Sequence, residues 1–187
     1  LAYAMPSKFG SIKRVSVSQD VDSFKRNLNL YVLAEDINGN LTLATDTIKE
    51  NLKTWLNDYK MMNDTIDILD ANICNFGIEY TLISEPGTNK FDMLLIVNQV
   101  VQDYLKRTNI GIGEPIYIDD FYKQLNDIPG VVDTTRIRIV DRTGTNYSGF
   151  SFDFDSSLSN SGRIFRVPQD TIMELRYPNL DIKGTIK

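Results

Sequence analysis

The sequence predicts an α+β fold of small mixed sheet-and-helix units with a β-rich C-terminal extension. Three observations carry that expectation. Stretches of period-two alternation take turns along the chain with stretches of three-and-four spacing. The 187 residues, 42% hydrophobic and 24% charged, are enough to bury a core. After residue 143 the helical spacing ends, and turn residues and short apolar runs take over. The expected divisions are residues 1–70 and 71–143 for two α+β units and 144–187 for the extension. The chain begins with Leu, and its last stretches are strand-like, which suggests a piece of a longer polypeptide.

Residues 12–18 alternate Ile and Val with Lys, Arg and Ser, the pattern of a half-buried strand. Leu28, Leu30 and Val32 repeat that signal on one face. Asp36-Ile37-Asn38-Gly39-Asn40 reads as a tight turn, because Asn-Gly tolerates positive φ, and residues 41–44 as the return strand. Thr45 or Thr47 can cap a helix, with Thr47 and Glu50 matching a capping box. Ile48, Leu52, Trp55, Leu56, Tyr59 and Met62 then form an amphipathic stripe of about four turns, closed by Asn63-Asp64.

Ile66 and Ile68 open an extended stretch, and residues 73–84 form a long strand in which Gly77 marks a bulge or a close neighbour. After the Glu85-Pro86-Gly87 turn, a second helix begins at residues 89–92 and reaches about Thr108. Its apolar residues cover more than one face, so deeper burial than in the first helix is expected. A loop over residues 109–115 leads to a short helix capped by Asp119, carrying Phe121, Tyr122, Leu125 and Ile128 and ended by Pro129-Gly130. Residues 131–140 read as a strand. In the extension, Phe150, Phe152 and Phe154 alternate with Ser151, Asp153 and Asp155 as the plainest strand pattern in the chain, and residues 156–162 are a polar loop. Residues 164–167, 171–177 and 181–186 read as short strands.

Composition excludes much common chemistry. With no His there is no Ser-His-Asp or Cys-His arrangement and no HExxH zinc site. A single cysteine, Cys74, allows no intrachain disulfide and no multi-cysteine metal site. The first residues lack a basic leader and an apolar stretch, which argues against a signal peptide. No apolar run approaches the roughly 20 residues that span a bilayer. Net charge is −5, and of the acids 19 are Asp and 6 Glu, a bias that fits turns and caps better than an acidic face.

Candidate chemical groups each have a plainer reading. Arg136, Arg138, Arg142, Arg163 and Arg166 are the nearest thing to a nucleic-acid surface and are better read as polar strand faces on an acidic chain. Asp119-Asp120 suits a cap better than a metal. Asp153 and Asp155 lack the Gly and distal Glu of a calcium loop. Gly111-Ile112-Gly113 lacks the third Gly and the Lys-Ser/Thr of a nucleotide loop. Lys49, Lys53 and Lys60 read as a solvated helix face, Cys74 as a small buried residue, and Trp55 as core. No catalytic residue, metal site or cofactor is expected.

The order of elements also resembles the baseplate J-like proteins of contractile phage tails. The likeness lies in Leu52-Lys53-Thr54-Trp55-Leu56-Asn57 followed by Met61-Met62-Asn63-Asp64-Thr65-Ile66-Asp67-Ile68, then residues 73–82 and Val100-Val101-Gln102-Asp103-Tyr104-Leu105. It continues through Gly113-Glu114-Pro115-Ile116-Tyr117, Phe121-Tyr122-Lys123-Gln124-Leu125 and Ile128-Pro129-Gly130-Val131-Val132. The pattern covers about residues 45–140, and residues 4–15 resemble the stretch that precedes it. The nearest likeness is to the C-terminal part of the baseplate wedge subunits of T-even-type phages.

This resemblance implies a non-enzymatic structural subunit in the virion tail, assembled in the bacterial host cytoplasm. Such subunits pair as homodimers and join other baseplate wedge proteins into a ring around the tail hub. The ring rearranges on host contact and releases sheath contraction. Neither nucleic acid nor membrane is an implied partner. The absence of His makes protonation near neutral pH a poor trigger for rearrangement within this segment.

The Phe150, Phe152 and Phe154 face, with Ile164 and Phe165, either helps to bury a subunit interface or packs within the chain. The rival functions are a carboxylate-based hydrolase, either a glycosidase or a metal-dependent phosphoesterase, and a binding or adhesion module.

Overall fold

The computed structural model describes residues 1–20, 27–61 and 64–187. Two compact units account for it. The first comprises Leu1–Ile73 with Gly111–Gly113 and Pro168–Ile172; the second comprises Cys74–Ile110, Glu114–Val167 and Met173–Lys187. Among the described residues, several sheets and five α-helices give an α+β architecture, as the alternating periodicities predict.

In the first unit the strands are β1 (Arg14–Gln19), β2 (Asn27–Glu35), β3 (Leu41–Leu43) and β4 (Thr65–Asp70), and α1 (Asp46–Asn57) lies between β3 and β4. β2 is central. It pairs antiparallel with β1 and with β3, and parallel with β4, Leu28 lying opposite Ile66. A parallel pair needs a crossover, and α1 lies in it. Leu30, Val32 and Ala34 of β2 pack with Leu52 and Leu56 of α1. Leu33 points into a separate cluster with Ala71, Ile73, Ile112 and Ile172. The sequence showed only one apolar face here; β2 is buried on both, as central strands are.

The Asp36–Asn40 turn forms as expected. The Asp36 carboxylate accepts the Asn38 and Asn40 amides at 2.8 and 2.9 Å, and Gly39 has φ 83°. Hydrogen bonding, above all from the Asn40 amide, holds the Asp36 carboxyl below its ordinary pKa.

The first helix is shorter than its apolar stripe suggests. α1 ends at Asn57, and the Tyr59 and Lys60 amides close it on the Leu56 carbonyl. Met62 and Asn63, expected at its end, lie outside the described residues. Thr45 is the N-cap residue but makes no side-chain cap bond, and Thr47 lies inside the helix, so the Thr47–Glu50 capping box does not form.

The second unit holds most of β5 (Asn72–Ser84), then α2 (Lys90–Thr108), β6 (Ile116–Tyr117), α3 (Ile118–Asn126), β7 (Val131–Asp141), α4 (Phe154–Ser157) and β8 (Ile164–Phe165). The end of β9 (Thr171–Glu174), α5 (Pro178–Asp181) and β10 (Ile182–Ile186) complete it. The main sheet runs β10–β5–β7, with β9 also on β5; β10 is parallel to β5, and β7 is antiparallel. The β5–β7 register shifts between Thr81 and Leu82 and again between Ile83 and Ser84.

One face of this sheet is the core. Ile78, Tyr80 and Leu82 of β5, Ile137 of β7 and Ile182 of β10 pack with Met93, Val97 and Val101 of α2 and with Phe121 and Leu125 of α3. Gly184 of β10 lies beside Tyr80 because nothing larger fits: a Cβ there would run into the ring. The Tyr80 hydroxyl donates to Asn98 of α2 at 2.7 Å, tying helix to sheet.

α2 starts where expected, with Asn89 accepting the Phe91 amide at 3.0 Å, and ends on Asn109 in the left-handed region at φ 51°. Deep burial of this helix is not observed. Only the Met93–Val97–Val101 stripe is fully buried, Leu94, Val100, Tyr104 and Leu105 are half-buried against the core, and Phe91, Leu95 and Ile96 are 79%, 70% and 50% exposed.

The strand expected over Phe150–Phe154 is absent. Phe150 makes a lone bridge to Cys74, and Phe154 opens the one-turn α4. Asp153 causes the difference: its carboxylate accepts the Asp155 and Ser156 amides at 3.0 and 3.3 Å, capping a helix turn where a ladder was expected. α5, which Pro178 starts, was also not expected. No helix among the described residues is long and apolar enough to cross a membrane.

Candidate functional site

The candidate groups disperse. Among the described residues no three His, Cys, Asp or Glu side chains cluster as a metal would need. Asp119 lies inside the first turn of α3, whose N-cap residue is Tyr117, so the expected Asp119 cap does not form. Asp119 faces Arg163 at 3.7 Å, while Asp120 accepts the Tyr104 hydroxyl at 3.2 Å. Asp153 is a helix cap, and the Ser156 amide is the chief cause of its lowered pKa. Gly113, at φ 75°, lies against the Gln169 backbone within the first unit, a close approach that suits a connector.

Lys49 is more than a solvated face. Its ammonium bonds Asp70 of β4 at 2.7 Å and Asp46 at 3.3 Å, and the Asp70 bond raises its pKa. Cys74 is fully buried, and desolvation pushes its thiol up to about 12, so it is no nucleophile. Trp55 packs against the first unit's core, and its indole donates to the Leu1 carbonyl at 3.3 Å. The five arginines do not form one patch. Arg163 faces Asp119 and Arg142 faces Asp181, while Arg136 and Arg138 stand exposed on β7.

The aromatic residues of the C-terminal stretch do gather. Phe152 is 5.0 Å from Phe154 and 6.0 Å from Phe165 between ring centroids, Phe154 is 5.0 Å from Phe165, and Phe150 is 6.4 Å from Phe152. Phe165 is 2% exposed; Phe150, Phe152 and Phe154 are half-buried against the second unit's core. Ile164, beside Phe165 on β8, lies opposite Tyr117 of β6 and is half-buried.

A buried polar cluster in the second unit escaped the sequence reading. Asp181 is fully buried; it accepts the Tyr147 hydroxyl at 2.6 Å and the Tyr177 amide at 2.9 Å, and faces the Arg142 Nε at 3.5 Å. Asn75, also fully buried, donates to Glu174 at 2.9 Å and accepts the Ser148 amide at 2.6 Å. Gly77 permits the arrangement, since a Cβ there would come within 2.6 Å of Arg142 Nε and 2.7 Å of the Asp181 carbonyl. That glycine was the one visible signal. Tyr147 has its pKa raised by the Asp181 bond. The chemistry is that of a clasp, in which Asp181 joins Tyr147, the Tyr177 amide and the Arg142 charge.

No protein-family model and no curated protein matches the sequence. Among solved structures the chain is similar to one in the "Cryo-EM structure of the anti-feeding prophage (AFP) baseplate, 6-fold symmetrised", at a TM-score of 0.53 and 10% identity. The likeness covers 94% of this chain and 35% of that one, so this chain spans about a third of that protein's length. At this identity the likeness is one of fold.

Proposed function

We propose that the chain is a structural component of a contractile-tail baseplate, located in the virion tail and non-enzymatic. The observation that carries this is the shared fold over 94% of its residues with a chain of a contractile-tail baseplate structure. The polar groups support it: the buried Asp181 carboxylate is held by Tyr147 and the Tyr177 amide, and the candidate catalytic side chains stand apart. More finely, we read the chain as the C-terminal part of a baseplate J-like wedge subunit of the T-even type. It would self-associate, join other wedge proteins around the hub, and shift with them when the tail contacts its host.

Two surfaces suit such contacts. The half-exposed Phe150, Phe152 and Phe154 rims with Ile164 form one, anchored by Phe165. The apolar Phe91, Leu95 and Ile96 face of α2 forms the other, since an exposed apolar cluster on a helix marks a contact site. The test is sedimentation of the wild-type chain across concentration beside Phe152→Asp, with circular dichroism as the fold check. The wild type associates as concentration rises. The variant stays folded and monomeric if the aromatic rim is the contact. A wild-type chain that is monomeric at every concentration overturns self-association, and a variant that unfolds assigns Phe152 to intrachain packing.

A further inference from the structure

We infer that the open face of the β10–β5–β7 sheet is a docking surface for an extended acidic segment of a partner protein. This does not depend on the baseplate role. Side chains alternate across a sheet. With Ile78, Tyr80, Leu82 and Ile137 turned to the helices, Glu79 and Thr81 of β5 fall on the other face, with Arg136 and Arg138 of β7 and Lys183 and Thr185 of β10. The register places them in two rows. Arg138, Glu79 and Lys183 lie opposite one another, and so do Arg136, Thr81 and Thr185. Together they line a shallow depression of about 300 Å³.

Two facts make this face unlike the rest of the surface. The chain carries a net charge of −5, yet here three cations surround one carboxylate. Among the described residues, the side chains of Arg136, Arg138 and Lys183 make no ion pair or hydrogen bond, and the ion-pair partner of Glu79 is Arg142, at the long distance of 3.9 Å. Lys183 and Arg138 flank Glu79 from the two neighbouring strands, each about 5 Å from it across the ladder, and Arg136 stands two residues from Arg138, so one carboxylate leaves a surplus of positive charge that a further anion would neutralise.

The occupant follows from the spacing. Arg136 and Arg138 are two residues apart on one strand, about 7 Å, which is the period of alternate side chains in an extended peptide. A segment lying along the strands with Asp or Glu at every second position would meet both guanidiniums, and bidentate Arg–carboxylate pairing suits that contact. The Thr81 and Thr185 hydroxyls can donate to the same carboxylates. Glu79 in the middle of the depression, and the chain's overall negative charge, disfavour a polyphosphate backbone.

The probe is a fluorescein-labelled Ser-Glu-Ser-Glu-Ser-Glu peptide, followed by anisotropy at low ionic strength. The wild-type chain binds it, and added salt weakens the binding. Arg136→Gln/Arg138→Gln, two exposed and conservative changes, weakens it by about tenfold or more. Lys106→Gln, an exposed change on α2, leaves it unaltered. Absence of binding by the wild type, or equal binding by wild type and the Arg136/Arg138 variant, overturns the proposal. Tighter binding of a short duplex DNA than of the peptide, lost in the same variant, overturns the partner class. Loss of self-association in that variant, with peptide binding unchanged, gives the face to a second copy of the chain.

Discussion

Replacing Asp181 with Ala removes the centre of the second unit's polar clasp. The carboxylate is fully buried and serves three groups at once: the Tyr147 hydroxyl, the Tyr177 amide and the Arg142 guanidinium. Arg142 Nε and Nη2 are buried without a hydrogen-bond partner, so they are compensated by charge alone, Nε by Asp181 at 3.5 Å and Nη2 by Glu79 at 3.9 Å. Breaking a buried ion pair from one side costs about 3–5 kcal/mol, because the remaining charge is left in a poor dielectric. The two hydrogen bonds, each about 1.5–3 kcal/mol to a charged acceptor, independently give a similar sum. Against a total stability of about 5–15 kcal/mol for a protein, the loss is severe.

Urea unfolding followed by far-UV circular dichroism measures it. Asp181→Ala should lose about 3–5 kcal/mol. A cycle with Arg142→Leu separates the pair from the hydrogen bonds: the double variant should cost at least about 1 kcal/mol less than the sum of the singles. A loss below about 1 kcal/mol for Asp181→Ala, or strict additivity, would refute the clasp.

Three further outcomes follow from packing and titration. Gly184→Ala should cost about 1–3 kcal/mol in urea unfolding, since its Cβ meets the buried Tyr80 ring, which Asn98 holds in place. Leu52→Ala should cost about 2–5 kcal/mol, because the side chain is fully buried between α1 and β2, and Trp55 fluorescence reports the loss in the same unit. Cys74 should resist a thiol reagent at mild alkaline pH until urea unfolds the chain. Its thiol is raised to about 12 from 9.0, so its contribution to stability is complete below the unfolded thiol's pKa and fades as pH rises from 9.0 towards 12. Rapid labelling of the folded chain at pH 8 would contradict this burial.

Period and turn chemistry made much of the fold legible. Asn89 and the three-and-four spacing after it locate α2, and Ile66 with Ile68 locates β4. Local patterns failed where side-chain hydrogen bonds or tertiary contacts outweighed them. The Phe150–Phe154 alternation is as regular as any in the chain, yet the Asp153 carboxylate captures the amides a strand would have used. The aromatic spacing reflects instead a cluster with Phe165, which sits eleven residues further on and could not be paired with it from sequence.

α2 shows the converse limit: its apolar residues were legible, but which of its faces meets a sheet is decided by strands that lie up to about 90 residues away in the chain. The Asp181 clasp joins residues from β5, the end of β7 and the last turns of the chain. Only Gly77 hinted at it, as a place where a neighbour approaches closely. The charged sheet face was half visible as Arg136 and Arg138, but its third cation, Lys183, reaches it through a parallel pairing with β5 that no local signal encodes.

The baseplate role is tested most directly by locating the chain in a particle. Contractile tails purified from the cells that make this protein would be labelled with gold-conjugated antibody against it and imaged. Gold at the baseplate end of the tails is the predicted result. Tails that carry no label, or label spread along the sheath, would contradict it.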